Sequence, residues 1–169
     1  MNIQFFDDIE NRILNAISTH LSKSEKRKVL RTMRRHTATL SGIGSENWFQ
    51  WEIAQACFES KDLSFSFEDK MNLNCDFTIN GKSIELKTSK RATPNNFFKR
   101  GIEKTEKKTK KTGIMPDLFV FITWRWRKVR NGLRDILIEF EEYFRKHGYV
   151  SMNKELDESD WWVLIIKKQ

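Results

Sequence analysis

The dipeptide Asn80-Gly81 constrains this chain more than any other feature of its sequence. A two-residue hairpin turn needs positive φ at both centres, and Asn followed by Gly accepts that best. Alternating segments flank it. Met71 to Ile79 puts Leu73, Cys75, Phe77 and Ile79 on one face, and the return strand runs from Lys82 to Thr88. Once the turn is fixed, so is the register. Ile79 faces Lys82, Thr78 faces Ser83, Phe77 faces Ile84, and Asp76 faces Glu85. Side chains alternate with period two. One face therefore carries Cys75, Phe77, Ile79, Ile84 and Leu86 towards a core. The other carries Asn74, Asp76, Thr78, Ser83, Glu85 and Lys87.

Directly opposed residues have Cβ atoms about 5 Å apart. Two carboxylates at that spacing repel unless a positive charge lies between them. A hard divalent cation with oxygen ligands suits the place, and Asp76, Glu85 and the Leu86 carbonyl can supply them. Lys87 points the same way as Glu85, where an ammonium can orient an attacking water or stabilise charge growing on a phosphate. The competing reading is a polar sheet face turned to water, with Glu85 and Lys87 as ordinary surface charges. Asp is a poor strand residue, however, and setting Glu opposite it costs stability.

The rest of the chain reads as helices and strands in alternation. Residues 3 to 21 have apolar positions at helical spacing, from Ile3 and Phe6 to Ile17 and Leu21. A basic helix from Ser24 to His36 follows, then a loop from Thr37 to Gly44. Ser45 is placed to cap a third helix running to about Ser60. Strands follow at 63–67, 71–79 and 82–88, a lysine-rich helix at 95–112, a strand at 118–124, a helix at 131–147 ended by Gly148, and a strand at 161–166. That order predicts an α/β fold: a mixed sheet flanked by helices, with an N-terminal helical pair. The first three strands pair antiparallel, and helices separate the later ones as crossovers require. A single domain is expected, residues 1–40 being a helical extension and 45–169 the core.

Asp76, the strand and turn that follow it, and Glu85-Leu86-Lys87 resemble the D…(D/E)-x-K motif of the restriction endonuclease-like nucleases. The element order from about residue 45 to 124 also resembles their common core. The proline that often precedes the Asp is replaced by Cys75. The resemblance implies a restriction endonuclease-like sheet, with Asp76 and Glu85 holding Mg²⁺ (or Mn²⁺ in its place), Lys87 supporting the attacking water, and DNA products bearing 5′-phosphate. It also implies a helix glutamate completing the site. Glu46 is preferred for that role, both as metal ligand and as catalytic residue, because its segment resembles the first helix of many such nucleases. Glu52 is the alternative. The bland readings are a first-turn acid facing the helix dipole for Glu46 and a solvated face for Glu52.

A net charge of +8 favours a polyanionic partner. Lys90, Arg91, Lys99, Arg100, Lys104 and Lys107 follow the candidate site and are placed to contact phosphates. Trp124-Arg125-Trp126-Arg127-Lys128 lies at a strand end, where Arg125, Arg127 and Lys128 can meet nucleic acid or simply face water. Trp161 and Trp162 are assigned to the core or a subunit interface. Cys57 and Cys75 read as reduced core residues, and His20, His36 and His147 are too scattered for a histidine cluster. The start has no signal-peptide pattern and no apolar run approaches a membrane span, so a cytoplasmic protein is expected. The leading expectation is a Mg²⁺-dependent endonuclease cutting duplex DNA, in restriction or other defence, or in repair or recombination. It would act as a homodimer where both strands are cut. The alternatives are an RNA-directed nuclease, a non-catalytic nucleic-acid-binding protein on a degenerate nuclease fold, and a basic protein-binding module.

Overall fold

The computed structural model describes residues 5–35, 44–67, 75–89, 98–124, 133–156 and 161–169. Helix α1, Asp8–Leu21, opens on a reciprocal cap. The Asp7 carboxylate accepts the Glu10 amide at 2.8 Å, and Glu10 accepts the Asp7 amide at 2.9 Å. This cap starts the helix at Asp8, where apolar spacing alone carried it back to Ile3. Phe6 instead packs against the rim of the core, under the Lys167 ammonium. Helices α2, Ser24–Arg35, and α3, Gly44–Glu59, follow. The backbone of Ser45 is already helical in α3, and its side chain, expected to cap the helix, lies outside the described residues.

Six strands form one mixed sheet: β1, Phe65–Ser66; β2, Phe77–Ile79; β3, Lys82–Ser89; β4, Leu118–Trp124; β5, Tyr149–Leu156; and β6, Trp161–Lys168. Their order is β1-β2-β3-β4-β6-β5. Only β3 and β4 pair in parallel, and the other neighbours are antiparallel. The β3–β4 connection contains a π-helical turn, Phe98–Glu103, and helix α4, Lys104–Thr112, which Gly113 ends at φ 76°. Helix α5, Leu133–Lys146, leads to β5.

Strand β5 was not expected. It is an edge strand, and although Met152 and Leu156 fall on the core face, Lys154 between them interrupts the apolar alternation. It pairs with β6 in antiparallel register. The expected strand over 63–67 shortens to Phe65–Ser66. In the next one only Phe77–Ile79 joins the ladder; residues 71–74 lie outside the described residues.

Each sheet face is covered. Ile84, Leu86, Val120 and Val163 meet Ile13 and Ile17 of α1, Leu30 of α2, and Phe49 and Ile53 of α3 in one apolar cluster. Phe119, Phe121, Leu164 and Ile166 meet Phe98, Ile102, Phe140 and Phe144 in a second. Burying side chains of this size stabilises by about 1.5–3 kcal/mol each. Trp161 and Trp162 belong to these clusters, which settles them as core residues. Trp161 Nε1 donates to the Leu30 carbonyl at 3.2 Å, tying α2 to β6. Cys57 and Cys75 are buried and unbridged, and burial pushes the Cys57 thiol up to about 12. No helix among the described residues is long and apolar enough to cross a membrane.

The capping glutamate also anchors α1 to the sheet. Glu10 is 2% exposed and meets Lys82 Nζ at 3.2 Å and Lys167 Nζ at 2.7 Å. Glu10→Ala should destabilise the protein by about 3 kcal/mol, the lower end for breaking a buried ion pair, since both lysines keep a route to water. Chemical denaturation measures this, and a loss below about 1 kcal/mol would show that the anchor adds little.

Candidate active site

The turn forms as its residues require. Asn80 has φ 50° and Gly81 has φ 77°. The register is the expected one: Ile79 with Lys82, Thr78 with Ser83 and Phe77 with Ile84. Asn80 is fixed further by its side chain, whose Oδ1 accepts the Ser64 amide at 2.6 Å.

The ladder stops at Phe77. Asp76 is not a ladder partner of Glu85. Its amide donates to the Ile84 carbonyl at 2.9 Å, and its Oδ2 accepts the Leu86 amide at 2.7 Å. A short acidic side chain next to the backbone competes with ladder hydrogen bonds, so Asp76 ends β2 and substitutes its carboxylate for a strand carbonyl. The carboxylate is thereby pinned beside β3. Leu86 is fully buried, and strand alternation directs its carbonyl to the same edge as the amide that Asp76 accepts.

The polar face of the hairpin is not a solvated face. Thr78, Ser83 and Glu85 are all buried, Glu85 to 7% exposure. The parallel register sets Glu85 beside Phe119 and Lys87 beside Phe121. The π-helical turn comes close enough that a Cβ on Gly101 would sit 2.8 Å from Phe121 Cζ and 3.5 Å from Lys87 Cγ. Gly101 thus permits a lid of backbone over the lysine stem, a role invisible in the sequence. Ser83 is held by Asp117, whose Oδ2 accepts its amide at 2.7 Å and its hydroxyl at 2.8 Å.

Lys87 Nζ donates to Glu85 Oε1. Even so, burial first and the Asp76 charge second push the Glu85 carboxyl above the usual glutamate range, with Lys87 and then Lys108 opposing. Glu46, half-buried at the start of α3, is also raised. Burial is the main cause; Lys87 opposes it, and Asp76 and Glu85 add to it. Glu46 therefore shares one electrostatic neighbourhood with Asp76, Glu85 and Lys87. Glu52 does not. It is buried against His20 Nε2 at 2.6 Å and Lys26 Nζ at 2.8 Å, while His20 Nδ1 meets Glu59 at 2.9 Å. Glu52 works in the packing of the three N-terminal helices, where His20 bridges it to Glu59.

Lys99, Lys104 and Lys107 are exposed on the connection that follows β3. Lys108, one of the lysines of the basic helix expected over 95–112, is the lysine of α4 whose charge reaches Glu85. Lys90, Arg91, Arg125, Arg127 and Lys128, and the side chain of Arg100, lie outside the described residues. Among the described residues, no three carboxylate, imidazole or thiol groups stand ready as a cation cage. The donor chemistry still fits a hard divalent ion, because Asp76, Glu85 and Glu46 repel one another, with Lys87 and Lys108 offsetting them among the described residues. No family model, curated protein or solved structure matches this chain.

A raised carboxyl contributes stability that is fully present below its unfolded value and lost as pH rises through the folded one. Glu85→Gln removes the ionised group at constant shape. In EDTA at neutral pH this variant should melt on the order of a few degrees above the parent protein. The gain should vanish below pH 4.5, the ordinary glutamate value. A lower melting temperature at neutral pH would mean that the Lys87 pair outweighs burial and the Asp76 charge.

Proposed function

We propose that the chain is a metal-dependent endonuclease acting on DNA, built on a restriction endonuclease-like fold. One observation carries this reading: a buried glutamate and a strand-ending aspartate on one hairpin, with a lysine two residues on and a helix glutamate in electrostatic reach. The order α3-β1-β2-β3-helix-β4, with β3 and β4 parallel, supports it as the arrangement expected of the resemblance. Asp76, Glu85, Glu46 and the Leu86 carbonyl would hold Mg²⁺, with Mn²⁺ as a substitute. The bound ion would supply Lewis-acid polarisation of the scissile phosphate.

The chain's own groups supply the remainder. Lys87, which donates to Glu85, would orient the attacking water with its ammonium and stabilise charge on the phosphoryl oxygens. Lys99, Lys104, Lys107 and Lys108 hold backbone phosphates and give affinity without sequence preference. The second reading is a non-catalytic DNA-binding protein on the same fold. The exposed lysines Lys99, Lys104, Lys107 and Lys108, which would hold phosphates without any chemistry, favour it.

Circular duplex and circular single-stranded DNA, incubated with Mg²⁺ or with EDTA, separate the two. Cleavage is expected with Mg²⁺ alone and should fall by about 10²-fold or more in Glu85→Ala and in Lys87→Ala. Binding of both DNAs without cleavage of either would select the binding-protein reading.

A further inference from the structure

Two exposed aromatic rings on the α3 face of the sheet have no part in the chemistry above. Trp51, on the outer face of α3, is 62% exposed, and Phe67, just past β1, is 50% exposed. Their centroids are 5.9 Å apart in an edge-on arrangement. Phe58, 76% exposed, lies two turns further along the same helix face. Neighbouring large rings left in water mark a surface with a partner.

The rings are held in place. Phe67 meets Phe65 edge-on at 4.8 Å, and Phe65 stacks on Phe77 at 5.1 Å. Phe77 is fully buried and is the chain neighbour of Asp76. The β1–β2 register pairs Phe65 with Ile79 and Ser66 with Thr78. Continuing that register brings Phe67 level with Phe77, one strand over from the end of β2 where Asp76 sits. An aromatic chain thus links the surface rings to the strand that carries the site aspartate.

Charge selects the partner. The chain carries +8, which matches a polyanion better than a second copy of the same charge. On the α4 side of the acids stand Lys104, Lys107 and Lys108. The rings lie on the α3 face of the sheet and these lysines on the α4 face, so a strand that reached both would cross the sheet edge at the acids. In a duplex the base faces are covered by their neighbours, whereas unpaired bases offer theirs.

We propose that Trp51 and Phe67 form a stacking platform for unpaired bases of the strand presented to Asp76, Glu85 and Lys87. The proposal rests on the nuclease reading for what happens to that strand, but the platform is tested without cleavage. The preferred substrate is then DNA with a single-stranded segment at the site, rather than continuous duplex.

The test is fluorescence anisotropy in EDTA, with a labelled single-stranded 12-nucleotide DNA and a blunt duplex of the same length. Trp51→Ala and Phe67→Ala should each weaken single-strand binding roughly tenfold, with duplex binding changed less than about twofold. Trp51→Phe should retain most of the affinity, which separates stacking from a folding defect. Single-strand binding unchanged in both alanine variants would overturn the platform, whatever the cleavage assay gives. So would equal losses on both DNAs, or a dimer of the parent protein that Trp51→Ala dissociates in sedimentation. Loss of single-strand binding in Trp51→Ala, with no cleavage by the parent protein, would keep the platform and refute the nuclease.

Discussion

Holding the Glu85 carboxylate inside the protein beside Asp76 is unfavourable, and much of the local structure manages that cost. Burial disfavours the ionised form, and a second carboxylate nearby disfavours it further. Lys87 offsets part of this from the same strand and Lys108 offsets some from α4. Asp76 is stabilised separately, by the Leu86 amide. Such an arrangement is poorly explained as a device for stability, because an apolar pair at these positions would fold more favourably. A divalent cation would remove the repulsion, which is the physical reason for reading the cluster as a metal site.

The topology places the surroundings. A parallel β3–β4 pair cannot be closed by a hairpin, so the chain must leave the sheet after Ser89 and return at Leu118. The helical path it takes lays a π-helical turn over Lys87 and Phe121, with Gly101 at the closest approach. The same path exposes a lysine-rich helix next to the acids. On the opposite flank, α3 contributes both Glu46, towards the acids, and Trp51, towards solvent. One sheet edge thus meets a cationic surface on one side and an aromatic one on the other.

The hairpin was legible because its turn residues have few alternative uses: Asn80 and Gly81 determined the register, and the register determined which side chains share a face. The strand-ending role of Asp76 was not legible. It depends on a carboxylate outcompeting a backbone carbonyl for the Leu86 amide, and spacing does not encode that. Strand β5 escaped notice because it lies at the sheet edge and Lys154 breaks the alternation that Val150, Met152 and Leu156 begin. The early start assigned to α1 followed apolar spacing past the cap that Asp7 and Glu10 make. Glu46 and Glu52 could be told apart only through helix packing, which brings Glu52 to His20 and leaves Glu46 near the acids.

The central claim is that these carboxylates form a cation site, and calorimetric titration of the DNA-free protein with Mn²⁺ tests it most directly. The account predicts one saturable binding event that Asp76→Asn abolishes and that a Glu52→Gln variant, checked for folding, retains. Absence of saturable binding by the parent protein, or equal binding by Asp76→Asn, would contradict it.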